Sequence, residues 1–161
     1  MVARLLLSVI ALMCCVLYGQ AALHAHCAVL WTFDSSKCAD NFDFVVGNIK
    51  NFSIPEVREG NYTLVSADPN AMVITALHTT PTHGYVDDLT FSLKQDGANC
   101  QLSGASQSRP VSLYDYDTNF CNLWNVAVRT NTNKVGAEKF GSCPFHPSDD
   151  FDARVKQCNQ Y

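Results

Sequence analysis

Six cysteines behind an apolar leader constrain this chain more than any other feature. Cys27, Cys38, Cys100, Cys121, Cys143 and Cys158 form an even set, while Cys14 and Cys15 lie inside the leader. The leader begins with one positive charge, Arg4, and continues as an apolar run over residues 5–18. That run is too short for a membrane-spanning helix, which needs roughly 20 apolar residues. A charged start, a short apolar stretch and small residues at Gly19 and Ala21 read as a secretory signal peptide over residues 1–21. Cleavage is expected after Ala21, with Ala25 as the second choice. An even cysteine set behind such a leader reads as three disulfides. Structural zinc usually brings closely spaced C-x-x-C pairs, and the chain has none. Short closures favour joining sequence neighbours: Cys27 with Cys38, Cys100 with Cys121, Cys143 with Cys158.

The remaining residues, 22–161, fit a single domain with a core of ordinary size. Without the leader's Arg4 the net charge falls from −4 to about −5, and no basic run occurs anywhere. Backbone binding to nucleic acid needs clustered Lys and Arg, so nucleic acid is not an expected partner. No later segment approaches membrane-spanning length, and no membrane span is expected. Two sequons, at Asn51 and Asn61, agree with a secreted, extracellular glycoprotein.

Alternation dominates the hydrophobic pattern. Leu89, Phe91 and Leu93 alternate with Asp88, Thr90 and Ser92, which marks a half-buried strand. Met72, Ile74 and Ala76 form one face of another strand, and residues 28–33 and 62–65 add two short runs. Phe42, Phe44 and Val46, and later Trp124, Val126 and Val128, alternate in the same way. With turn signals every 10 to 15 residues, the pattern predicts an all-β fold: an antiparallel β-sandwich or barrel of about 7–9 short strands, stapled by disulfides. One short C-terminal helix is predicted. Residues 148–152 supply a cap and first-turn acids, and Phe151, Val155 and Cys158 fall at i, i+4 and i+7.

Chemistry-bearing motifs are few. Asp115, Asp117 and Asn119 match the first three ligand positions of a calcium loop. The sixth position holds Phe120 instead of Gly and the twelfth holds Val126 instead of Glu, which excludes an EF-hand. What is left is a looser calcium hypothesis, set against a polar hairpin turn followed by a strand. Cleavage after Ala25 would make His26 the first residue, and a free amine with its imidazole, assisted by His83, could chelate copper. Asp87 and Asp88 point to opposite faces of a strand and so do not form an acid–base pair. The chain has no G-x-S-x-G elbow and no phosphate loop, so no catalytic residue and no resident cofactor are assigned. Trp124, Tyr114 and Tyr116 are the aromatic candidates for ligand contact.

No family motif is matched residue by residue. Length and β pattern are similar to those of secreted lipid-binding sandwiches, a likeness of class alone. The readings are an extracellular binding or interaction module, a carrier of a small apolar ligand between its sheets, and a copper-dependent secreted enzyme. The expected partner is correspondingly an extracellular protein, a carbohydrate or a small apolar molecule.

Overall fold

The computed structural model describes residues 24–52, 61–112, 117–131, 135–143 and 149–160. Strand β1 (His26–Phe33) leads into helix α1 (Cys38–Lys50). Four strands follow: β2 (Asn61–Asp68), β3 (Val73–Thr79), β4 (Val86–Asp96) and β5 (Asn99–Ser108). Helix α2 (Thr118–Ala127), strand β6 (Val135–Phe140) and helix α3 (Phe151–Cys158) complete the order.

All six strands belong to one antiparallel sheet in the order β2-β3-β4-β5-β1-β6. The chain is therefore mostly β, and its sheet is open. One open sheet with helices on one face takes the place of the expected sandwich or barrel. The reason lies in two segments read as strands that are helices. In α1 the buried residues Cys38, Asn41, Phe42, Val45 and Ile49 recur at helical spacing. Phe44 and Val46, the alternation partners of Phe42, are only partly buried. In α2 every residue from Asn119 to Ala127 is buried. A helix enclosed on all sides carries no amphipathic stripe to distinguish it from a buried strand.

The alternation read for β3 and β4 holds. Ile74, Ala76, Leu89, Phe91 and Leu93 point into the core, and Asp88, Thr90 and Ser92 point out. Trp31, Phe33, Phe91, Phe120, Leu123 and Trp124 fill the space between sheet and helices, none of them more than 1 % exposed. Gly104 on β5 makes room for this packing. A Cβ there would lie 3.1 Å from Trp31 Cζ3 and 3.4 Å from Leu123 Cδ2. Trp31 has little freedom to retreat, because its Nε1 donates to Glu138 Oε1 at 2.6 Å. Gly104→Ala is therefore expected to destabilise the fold by about 1–3 kcal/mol, the usual range for overpacking a filled core, as read by urea unfolding.

The predicted C-terminal helix is present as α3. Asp150 is its N-cap, with Oδ1 accepting from the Ala153 N–H at 2.8 Å. Its buried residues are Arg154 and Cys158, with Val155 partly buried. Phe151 stays 45 % exposed while lying 5.8 Å from the Trp124 ring.

The three disulfides are Cys27–Cys143, Cys38–Cys100 and Cys121–Cys158. The pairing of sequence neighbours is corrected in every case, and sheet topology explains why. Strand β1 lies between β5 and β6. Cys27 near its start therefore meets Cys143 just beyond β6, where the Gly141 N–H donates to the Ala28 carbonyl at 2.8 Å. Cys100 is the register partner of Phe33 at the other end of β1, beside the first residue of α1. Gln95 on β4 also reaches that point, its Oε1 accepting from the Cys38 N–H at 2.8 Å. Cys121 and Cys158 join α2 to α3.

Candidate functional site

The inner face of the sheet is mostly apolar, with buried Ser106 on β5 an exception, until its last row. There Tyr62, His78, Asp87 and Ser108 are successive register partners on β2, β3, β4 and β5. All four are buried, at 9 %, 0 %, 2 % and 7 % exposure. Helix α2 crosses above this row and presents three asparagines spaced three apart, Asn119, Asn122 and Asn125, none more than 1 % exposed.

Each asparagine answers a different strand or helix. Asn119 Oδ1 accepts from Ser106 Oγ at 2.6 Å, and its Nδ2 donates to Ser108 Oγ at 3.2 Å. Asn122 Nδ2 donates to Asp87 Oδ2 at 2.8 Å. Asn125 Nδ2 donates to the Cys158 carbonyl at 3.2 Å, and its Oδ1 accepts from Arg129 Nη1 at 3.3 Å. Tyr62 donates from its hydroxyl to the Asn122 carbonyl at 3.1 Å and lies 4.7 Å from the His78 ring. Burial pushes the Tyr62 phenol well above the usual tyrosine range, outweighing a hydrogen bond with Asn125 that pulls the other way. His78 Nδ1 stands 3.7 Å from Asp87 Oδ2. Histidine, carboxylate and phenol are the side chains that move protons in many enzymes. Here they are enclosed beneath α2, and the bonds of Tyr62, Asp87, Ser106 and Ser108 hold that helix to β2, β4 and β5.

The opposite face of the sheet is exposed and differently built. One row runs Thr75, Thr90, Ala105, Ala28 across β3, β4, β5 and β1. The next runs Val73, Ser92, Ser103, Leu30 and reaches Lys139 on β6. Thr90, Ser92, Ser103 and Ala105 are exposed, and the flanking residues of β1 and β3 are half-buried. The outward residues of β1, β3 and β5 in these rows are small, hydroxylic or aliphatic, and none is charged. Charge sits at the margin, where Arg109 Nη2 donates to Asp88 Oδ1 at 2.8 Å.

The residues singled out from sequence are dispersed. Tyr114, Asp115 and Tyr116 lie outside the described residues. Asp117 caps α2 with a left-handed backbone (φ 70°), and one of its carboxylate oxygens accepts from Gln157 Nε2. Asn119 faces the sheet with its amide bound to two serines, as above. The hairpin turn and strand expected over this stretch are replaced by the cap and body of α2. Trp124 is buried, with Phe151 and Arg129 each 5.8 Å from its ring. His26 is exposed, its Nδ1 donating to the His24 carbonyl at 3.1 Å. His83, also exposed, stacks on Tyr85 at 5.3 Å in the β3–β4 turn. That turn belongs to strands two and three places from β1 in the sheet, about 10 Å or more at the usual strand spacing. Asn51 and Asn61 are both exposed and share one corner, where the rings of the residues that follow them, Phe52 and Tyr62, are 4.5 Å apart. Asp87 and Asp88 do point to opposite faces, one buried and one exposed.

The buried polar row is the feature that sequence reasoning missed. Its one sequence signal is the N-x-x-N-x-x-N spacing of Asn119, Asn122 and Asn125. Among the described residues no three His, Cys, Asp or Glu side chains converge as a metal site, and no helix is long and apolar enough to cross a membrane. No protein-family model matches the chain, and no curated protein matches it significantly.

Proposed function

We propose that this chain is a secreted glycoprotein that acts as an extracellular binding module, docking a partner protein on the open face of its sheet. Three disulfides within one chain are compatible with an extracellular protein and support that setting. The observation that carries the docking surface is the outer face of the sheet, whose centre at Thr90, Ser92, Ser103 and Ala105 is uncharged. The whole open face, six strands about 4.8 Å apart and on average about 25 Å long, spans roughly 600 Å² with its charged margins included, close to the roughly 800 Å² one partner gives to a standard interface. A low charge density at its centre lowers the desolvation that docking demands, and a fold stapled by three disulfides docks with little reorganisation.

A photo-reactive side chain placed at Ser103 tests this in native extracellular fluid, with one at Asp43, on the exposed side of α1, as control. The expected result is one cross-linked protein with the Ser103 probe, competed by unlabelled wild type and lost in Thr90→Arg. Equal capture by the Asp43 probe, or retention of a polysaccharide instead of a protein, would overturn the reading. Material secreted by cells should begin at Ala22 and lose mass on removal of N-glycans.

A further inference from the structure

His78 is fully buried, and its imidazole needs more than the protein supplies. A neutral ring carries one N–H donor and one lone pair, so it requires an acceptor on one side and a donor on the other. Among the described residues neither ring nitrogen has a hydrogen-bond partner. Asp87 Oδ2, at 3.7 Å from Nδ1, is beyond direct hydrogen-bonding reach. Asn122, beside the same carboxylate, directs its Nδ2 to Asp87 Oδ2 and leaves its own Oδ1 without a partner. The Tyr62 hydroxyl, which closes one side of His78, is committed to the Asn122 carbonyl. Three elements, β3, β4 and α2, thus bring a donor, a lone pair and two acceptor oxygens to one place inside the protein.

From this we infer a built internal hydration site, in which a trapped water bridges His78 to the Asp87–Asn122 pair beneath α2. Water is the small species that both donates and accepts through one atom. Buried waters are held by two to four polar partners of this kind, and polar groups more than about 3.5 Å apart are those a water can bridge. A cation fits the same atoms poorly. A metal-bound histidine ordinarily gives its other ring N–H to a protein acceptor, and His78 Nε2 has none among the described residues. The Tyr62–His78–Asp87–Ser108 row is on this reading a wet seam in an otherwise dry core.

Two measurements decide it. In a high-resolution crystal map of the glycosylated protein, the expected result is a peak at ordinary hydrogen-bond distance from a His78 ring nitrogen and from Asp87 or Asn122. Water-oxygen relaxation dispersion in solution should report at least one long-lived internal water, and His78→Phe, which keeps the ring and removes both nitrogens, should lower the amplitude by about one water. An unchanged amplitude in a folded His78→Phe protein overturns the proposal. So does a direct His78–Asp87 hydrogen bond with no peak between them, or a peak at metal–ligand distance with anomalous scattering. Should His78→Phe fail to fold, the wild-type map alone decides.

Discussion

Glu138→Ala is expected to lower the unfolding free energy by about 2–4 kcal/mol, because it removes a part-buried carboxylate that both an arginine and a core indole bond to. Glu138 lies on β6, and its side chain is 17 % exposed. It accepts from Trp31 Nε1 on β1 at 2.6 Å and from Arg154 Nη1 on α3 at 2.9 and 3.1 Å. Arg154 in turn lies over the Phe120 ring of α2 at 5.3 Å. One carboxylate therefore ties together two strands and two helices. Without it the indole N–H in the core loses its acceptor, and a guanidinium 10 % exposed loses the carboxylate that pairs with it. Asp149 does not replace it, since it stands 3.9 Å from Arg154 Nη2 and is 98 % exposed, where an ion pair contributes little. Urea unfolding of three variants separates the causes. Glu138→Gln keeps an acceptor for Trp31 and should fall between wild type and Glu138→Ala. The double variant Glu138→Leu, Arg154→Met removes the buried charge as well and should regain most of the loss. A loss below about 1 kcal/mol in Glu138→Ala would show that this cluster is not the clamp described.

How much of this was legible in the sequence depends on whether a segment is half-buried or enclosed. Strand β4 was readable because Asp88, Thr90 and Ser92 face water while Leu89, Phe91 and Leu93 do not. Helix α3 was readable from its acids and from the apolar spacing of Val155 and Cys158, though its cap is Asp150 and Phe151, read with that face, is 45 % exposed. The segment Phe42-Asp43-Phe44-Val45-Val46 satisfies a period of two as well as it satisfies 3.6, and only the burial of Asn41 and Ile49 resolves it as a helix. In α2 no residue after Thr118 is exposed, so its pattern carried no information about period. The polar row was beyond reach for a different reason. Tyr62, His78, Asp87 and Ser108 are neighbours only through three successive strand registers, and a shift of one residue in any of them would turn a side chain to the other face. Cysteine count predicted three bridges, but their partners follow from β1 entering between β5 and β6, a long-range pairing with no local signature.

Removing the Cys27–Cys143 bridge by a double alanine substitution is expected to destabilise the protein by about 5 kcal/mol in the loop-closure account. The figure follows from the 116-residue separation, the largest of the three, against 62 for Cys38–Cys100 and 37 for Cys121–Cys158. The same account gives each of the shorter loops about 4 kcal/mol. Cys27 and Cys143 also fasten β6, an edge strand bonded on one side to β1 alone, so the bridge closes the sheet where backbone pairing is thinnest. Domains of this size hold only about 5–15 kcal/mol in total, and a loss of this order should lower the melting temperature by about 10–20 °C. Thermal and urea unfolding of Cys27→Ala, Cys143→Ala beside the wild type measures it, and the loss should be accompanied by faster hydrogen exchange in β6 than in β4. Peptide mapping under non-reducing conditions supplies the independent check. It should recover Cys27 linked to Cys143, and a fragment linking Cys27 to Cys38 would overturn both the pairing and the strand order that imposes it.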